Sequence, residues 1–231
     1  DFEEFNRFFF ENKWSDGLLV TPPTPERVER MLRHTRRAPE EIVAAIGPSG
    51  GATVEGIAIN AVMAGCYPEY LPVLIAATEA MADKDFHLHF VVGTTNPATT
   101  WLVVNGPIAQ RLKVNGGMDC LGTGTWANAA LGRALRLICW NIAGGHAYRS
   151  TQGGPGRFLM CCAENEADSP WEPLHVERGF APDVSTSTVV SARKGLLSFM
   201  TVARDVQDLL KVIARTMAYP GSSDYRSGGA P

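Results

Sequence analysis

One cysteine, Cys66, sits in the stretch Asn60-Ala-Val-Met-Ala-Gly-Cys66-Tyr-Pro68-Glu69-Tyr70, on a turn just before an apolar segment that opens with proline. A thiol beside the unpaired N–H groups of a helix N-terminus is stabilised as a thiolate. This spacing makes Cys66 the first candidate nucleophile or redox thiol, expected to titrate below the ~8.5 of a free cysteine, with Glu69 close by to move a proton. The competing reading is a small buried hydrophobe packed under the turn.

Three further groupings carry chemistry-bearing residue types. The loop Gly122-Thr123-Gly124-Thr125 runs into a long periodic segment, and such a helix start offers close backbone approach and free N–H donors for a carboxylate or phosphate. Asn128 and Arg133 lie one and two turns further on and add polar groups, either to a substrate or to neighbouring loops. His87 and His89, two apart, would share one face of a strand and supply two imidazoles to a metal, or would simply be satisfied or exposed histidines. Glu164-Asn-Glu166 closes an apolar strand and is followed by Ser169-Pro-Trp-Glu-Pro-Leu-His175. Carboxylates at a strand end with a histidine nearby are acid/base candidates, unless the glutamates form structural ion pairs and His175 lies on an exposed strand. There is no Walker loop, no full dinucleotide fingerprint and no Gly-x-Ser-x-Gly elbow.

The elements that must hold these residues follow from periodicity and punctuation. Phenylalanines at 2, 5, 8, 9 and 10 have helical spacing and predict an amphipathic helix over 1–12. Residues 18–20 read as a short strand, 24–34 as a helix capped by Thr24 with Pro25 in its first turn, and 39–45 as a second short helix. The run 57–63 fits helix or buried strand, and 69–81 a largely buried helix. Strands are expected at 86–92 and 101–104, a turn at Asn105-Gly106-Pro107, and a short helix at 108–112. A long helix follows over 126–142, then strands at 157–163 and 186–192 and an amphipathic helix over 202–217. The sum is one α/β domain over 1–219, a mixed sheet with helices packed on it, and a flexible Gly- and Ser-rich tail at 220–231.

Composition narrows the function classes. With 231 residues, 45% hydrophobic content and a net charge of −3, the chain can bury a sizeable core and shows no electrostatic footprint for nucleic acid or an anionic membrane. No apolar run reaches the ~20 residues of a membrane span and no charged leader precedes an apolar core, so a cytoplasmic location is expected. The five cysteines (Cys66, Cys120, Cys139, Cys161, Cys162) contain no C-x-x-C pair and no secreted disulfide framework.

Several segments together resemble a known family. They are Asp16-Gly-Leu-Leu-Val-Thr-Pro-Pro-Thr-Pro-Glu-Arg27, the Asn60–Tyr70 stretch, Asn105-Gly-Pro107, Gly132-Arg133-Ala134, and Ala163-Glu-Asn-Glu166 with Ser169 to Val176. Across residues 12–181 the chain resembles a bacterial family that occurs fused to, or encoded beside, small thioredoxin-like proteins or selenoproteins with a Sec/Cys-Gly-Ser-Cys motif. That redox motif is absent here, so the resemblance implies the substrate-binding or scaffold half of a two-component enzyme. Cys66 would then form a mixed disulfide with the partner subunit or attack an electrophilic substrate. It further implies Asn60, Cys66, Glu69, Thr94, Thr95, Asn105, Arg133, Glu164 and His175 as pocket residues. The family pattern Gly-Pro-Gly-x-Arg-Ala-Asn reads Gly122-Thr-Gly-Thr-Trp126-Ala-Asn128 here, which removes a cation from the expected anion site.

The expected activity is that of an oligomeric enzyme subunit acting on a small polar or anionic organic molecule. Cys66 would be nucleophile or redox thiol, the 122–125 loop would hold an acidic group, and Glu69 or Glu164 with His175 would move protons. A noncatalytic binding or scaffold subunit, suggested by the Phe-rich N-terminal helix, is the alternative. A metal-dependent hydrolase or lyase built on His87 and His89 is the third. No cofactor is named by the residues.

Overall fold

The segment Thr99–Asn105 buries Thr100, Leu102 and Val104 and leaves Thr99, Trp101 and Val103 half-buried, the period-two pattern of a strand with one covered face. It is β3, the centre of a three-stranded mixed sheet ordered β4-β3-β5. Cys161–Ala163 (β4) runs parallel to it, with Leu102 opposite Cys161. Thr186–Ala192 (β5) runs antiparallel, from Thr99 opposite Ala192 to Asn105 opposite Thr186. Ile42–Ala44 (β1) and Ala52–Thr53 (β2) form a separate antiparallel pair. The fold is α/β, and this computed structural model describes residues 1–48, 50–94, 98–122, 124–145, 160–192 and 205–217.

Helices cover the sheet. Val54–Met63 (α3) and Leu71–Met81 (α4) are apolar almost all round, as helices buried on several sides must be. Trp126–Asn141 (α7) packs on α3, α4, β3 and β4. Ile57, Leu71, Leu74, Leu102, Leu131 and Ile138 have no exposed surface and form the centre of the core. Each of these side chains contributes roughly 1.5–3 kcal/mol to folding by leaving water.

Phe2–Glu11 (α1) carries a capping box between Asp1 and Glu4. It packs Phe5 and Phe9 against the core, and its buried Asn6 Oδ1 accepts from Val20 N at 2.7 Å. Pro25–Leu32 (α2) lies on α3. Short helices Leu88–Gly93 (α5), Pro107–Arg111 (α6) and Leu174–Glu177 (α8) complete this unit. The chain divides into two compact units, Asp1–Lys194 and Gly195–Pro231. The second contains Val206–Met217 (α9), which falls within the helix expected at 202–217. Among the described residues no helix is long and apolar enough to cross a membrane. The expected tail at 220–231 lies outside the described residues, as does the 157–159 part of the strand expected there.

Three local expectations are overturned. Residues 18–20 form no strand: Leu18 and Leu19 are exposed and only Val20 is buried. The helix expected at 39–45 gives way to β1, because Ile42 and Val43 are β-branched and the segment finds a partner in β2. The strand expected at 86–92 is a 3-10 turn, Lys84–Phe86, followed by α5. His87 sits at their junction in the left-handed region, φ 52°, so His87 and His89 do not share a strand face.

Candidate functional site

Parallel β3 and β4 end side by side, and the residues that follow them converge. Asn105, last in β3 and fully buried, donates through Nδ2 to Glu164 Oε2 at 2.5 Å and to Glu166 Oε1 at 2.9 Å. Glu166 Oε1 also accepts from Gly106 N at 2.8 Å, and Glu164 Oε2 from Leu174 N at 2.9 Å. The second carboxylate thus caps the first turn of α8, where negative charge is favoured. That cap draws His175, 2% exposed, into the same cluster.

Gly106 makes the convergence possible. It holds φ +79°, and a Cβ there would lie 2.4 Å from Val184 O, so only glycine lets the chain turn sharply enough for its N–H to reach Glu166. His175 Nε2 lies 3.4 Å from Pro182 O. A carbonyl can only accept, so a hydrogen bond to Pro182 requires the Nε2–H form, which leaves the lone pair on Nδ1. Nδ1 makes no hydrogen bond among the described residues and faces Glu166 Oε1 at 3.8 Å. Asn105 Oδ1 is likewise buried without a hydrogen-bond partner, on the same amide whose nitrogen bridges the two carboxylates. The cluster gathers an imidazole, two carboxylates and a buried amide carbonyl, groups of the kind that move protons.

Cys66 is held differently from expectation. Gly65, φ +83°, ends α3, with Gly65 N donating to Val62 O and Cys66 N to Ala61 O, the paired bonds of a Schellman cap. The cysteine therefore follows the C-terminal, electronegative end of a helix. Its Sγ donates to Ala130 O at 3.4 Å, and burial pushes the thiol pKa far up, with only partial relief from Arg133. The expectation of a lowered pKa is overturned by this burial. Burial also raises Cys161 well above its usual range, Cys162 to about 11 and Tyr70 to about 12. Glu69 is exposed on the 3-10 turn Pro68–Tyr70.

Other expected site residues are taken up by the fold. Asn128 Nδ2 donates to Asn115 O, Cys120 O and Cys161 O at 2.9, 2.9 and 3.0 Å, and its Oδ1 accepts from Asn115 N at 2.8 Å. These bonds fasten the 115–120 loop to β4. Arg133 grips Asp16 through Nε at 3.1 Å and Nη2 at 2.8 Å, and its Nη2 reaches Leu18 O, pinning the N-terminal segment to α7. Thr125 begins α7 without a side-chain cap bond, and Gly122 and Gly124 are exposed. Asn60 Oδ1 accepts from Asn141 Nδ2 at 2.7 Å, and its Nδ2 donates to Gly56 O. Thr94 caps the C-terminus of α5, while Thr95 and Thr123 lie outside the described residues. No group of three or more His, Cys, Asp or Glu side chains among the described residues is gathered to hold a metal ion.

The structure thus brings Asn105, Glu164 and His175 together and leaves Cys66, Arg133, Asn128 and Asn60 outside their hydrogen-bonded cluster. It draws in Glu166, the other strand-end carboxylate the sequence offers, and adds Gly106. Comparison with family models, curated proteins and solved structures gives no match.

Proposed function

We propose that this chain is an enzyme subunit that moves protons on a small polar organic molecule at the ends of β3 and β4. His175 Nδ1 takes a proton from the substrate, and the carboxylate of Glu166 stabilises the imidazolium until the proton is returned. Asn105 and Glu164 hold the pair in place. The observation that carries this reading is the buried His175 Nδ1, without a hydrogen-bond partner among the described residues and 3.8 Å from Glu166 Oε1. Two carboxylates repel an anion, so the site favours a neutral or cationic substrate over an anionic one. A protonated thiol at Cys66 gives no support to nucleophilic or redox chemistry there.

The test follows solvent deuterium entering, or mass changing in, a defined mixture of small amines, amino alcohols and carbonyl compounds incubated with the protein in D2O. Glu166→Gln should lower the rate by about 10²-fold or more, the usual worth of a positioned acid/base group, and Cys66→Ser should leave it within about twofold. The reverse pattern refutes the proposal.

A scaffold role for a thioredoxin-like partner is the second reading, favoured by the exposure of Phe2, Phe8 and Phe10 on α1. Loss of assembly in Phe8→Ser/Phe10→Ser with the fold intact supports it.

A further inference from the structure

We infer that a second site, between the end of α1 and α3, binds a small apolar molecule carrying one anionic group. A cavity of about 600 Å³ opens there, within the size range of small-molecule pockets. Its apolar walls are Phe9, Trp14, Ile59 and Met63. Trp14 is held edge-on to Phe9, with ring centroids 5.3 Å apart. The polar edge is preformed: Asn141 Nδ2 donates to Asn60 Oδ1 at 2.7 Å and to Trp14 O at 3.1 Å. Trp140 Nε1 donates to Lys13 O at 2.6 Å and fixes the rim from outside.

Lys13 is the residue that assigns the ligand class. The end of α1 is a Schellman cap in which Lys13 N donates to Phe10 O and Trp14 N to Phe9 O. Its left-handed position, φ +61°, is held by Lys13, where glycine would sit without strain. Lys13 lines the cavity, and its ammonium pairs with no carboxylate among the described residues. The cap thus holds the one lining residue that carries a positive charge in a fixed backbone position at the cavity. An aromatic or branched apolar body fills the walls, and its acidic group meets Lys13 at the rim.

Two fluorescent probes test this on the full chain: 1-anilinonaphthalene-8-sulfonate and its uncharged analogue N-phenyl-1-naphthylamine. The sulfonate should bind saturably, one per chain. Lys13→Gly, which relieves the backbone and so keeps or raises the Tm, should weaken the sulfonate about three- to fivefold, as for loss of an exposed ion pair, and leave the neutral probe unchanged. Ile59→Trp, which fills the cavity, should abolish both. The inference is overturned by the absence of saturable sulfonate binding, by equal affinity for the sulfonate in Lys13→Gly and the wild type, or by a folded Ile59→Trp variant that binds as before.

Discussion

Replacing Cys66 by serine turns the burial of its thiol into a measurable pH dependence of stability. In the fold, burial raises that thiol far above its ordinary range, whereas in the unfolded chain it titrates near ~8.5. The fold favours the neutral form, so the contribution is fully present below ~8.5 and is lost as pH rises from there towards the folded value. Between pH ~7.5 and ~10 the unfolded chain gains about 2 kcal/mol from ionising one thiol, a figure set by the unfolded pKa alone while the folded thiol stays protonated. Cys161, Cys162 and Tyr70 shift the same way, but they do so in both proteins and cancel in the difference. Serine keeps a donor for Ala130 O and does not ionise. Urea unfolding at the two pH values should therefore show the wild type losing about 2 kcal/mol more than Cys66→Ser. Equal losses would mean that Cys66 ionises within the fold, and the reasoning that removes it from the chemistry would be wrong.

Asn128→Ala removes the four hydrogen bonds by which this α7 side chain holds the 115–120 loop and β4; at about 1 kcal/mol each, partly recovered by relaxation, urea unfolding should register a loss of about 3 kcal/mol. Arg133→Ala leaves the Asp16 carboxylate, 1% exposed, without its cation. It should lower stability by about 3 kcal/mol while leaving any strand-end activity per folded molecule unchanged. Gly106→Ala places a Cβ 2.4 Å from Val184 O at φ +79°, and should cost at least ~3 kcal/mol or prevent folding, read by circular dichroism and thermal melting.

The sequence carries the strong elements clearly. Residues 126–141 show uninterrupted helical periodicity, and Thr186–Ala192 is a β-branched run whose limits match the strand observed. Short segments are settled by partners that periodicity does not show. Ile42–Ala44 becomes a strand because β2 lies beside it, and 88–93 becomes a helix once His87 accepts a left-handed turn. At Cys66 the same glycine could be read as the approach to one helix or the end of another. Gly65 caps α3, and that assignment reverses the sign of the local field on the thiol. His175 is buried by a four-residue helix whose cap, Glu164, comes from ten residues away, a relation that only the folded chain supplies. Arg133 and Asn128 look free in sequence because their partners, Asp16, Asn115 and Cys161, are brought to them by the fold.

The tautomer of His175 tests the central claim most directly. Long-range ¹H–¹⁵N correlation spectra of the labelled protein separate an Nε2–H imidazole from an Nδ1–H one, and His175→Asn assigns the signal. The account predicts the Nε2–H form, with a bare Nδ1 whose resonance moves in Glu166→Gln. An Nδ1–H tautomer, or a resonance indifferent to Glu166, would contradict it, because the site would then have no base facing its carboxylate.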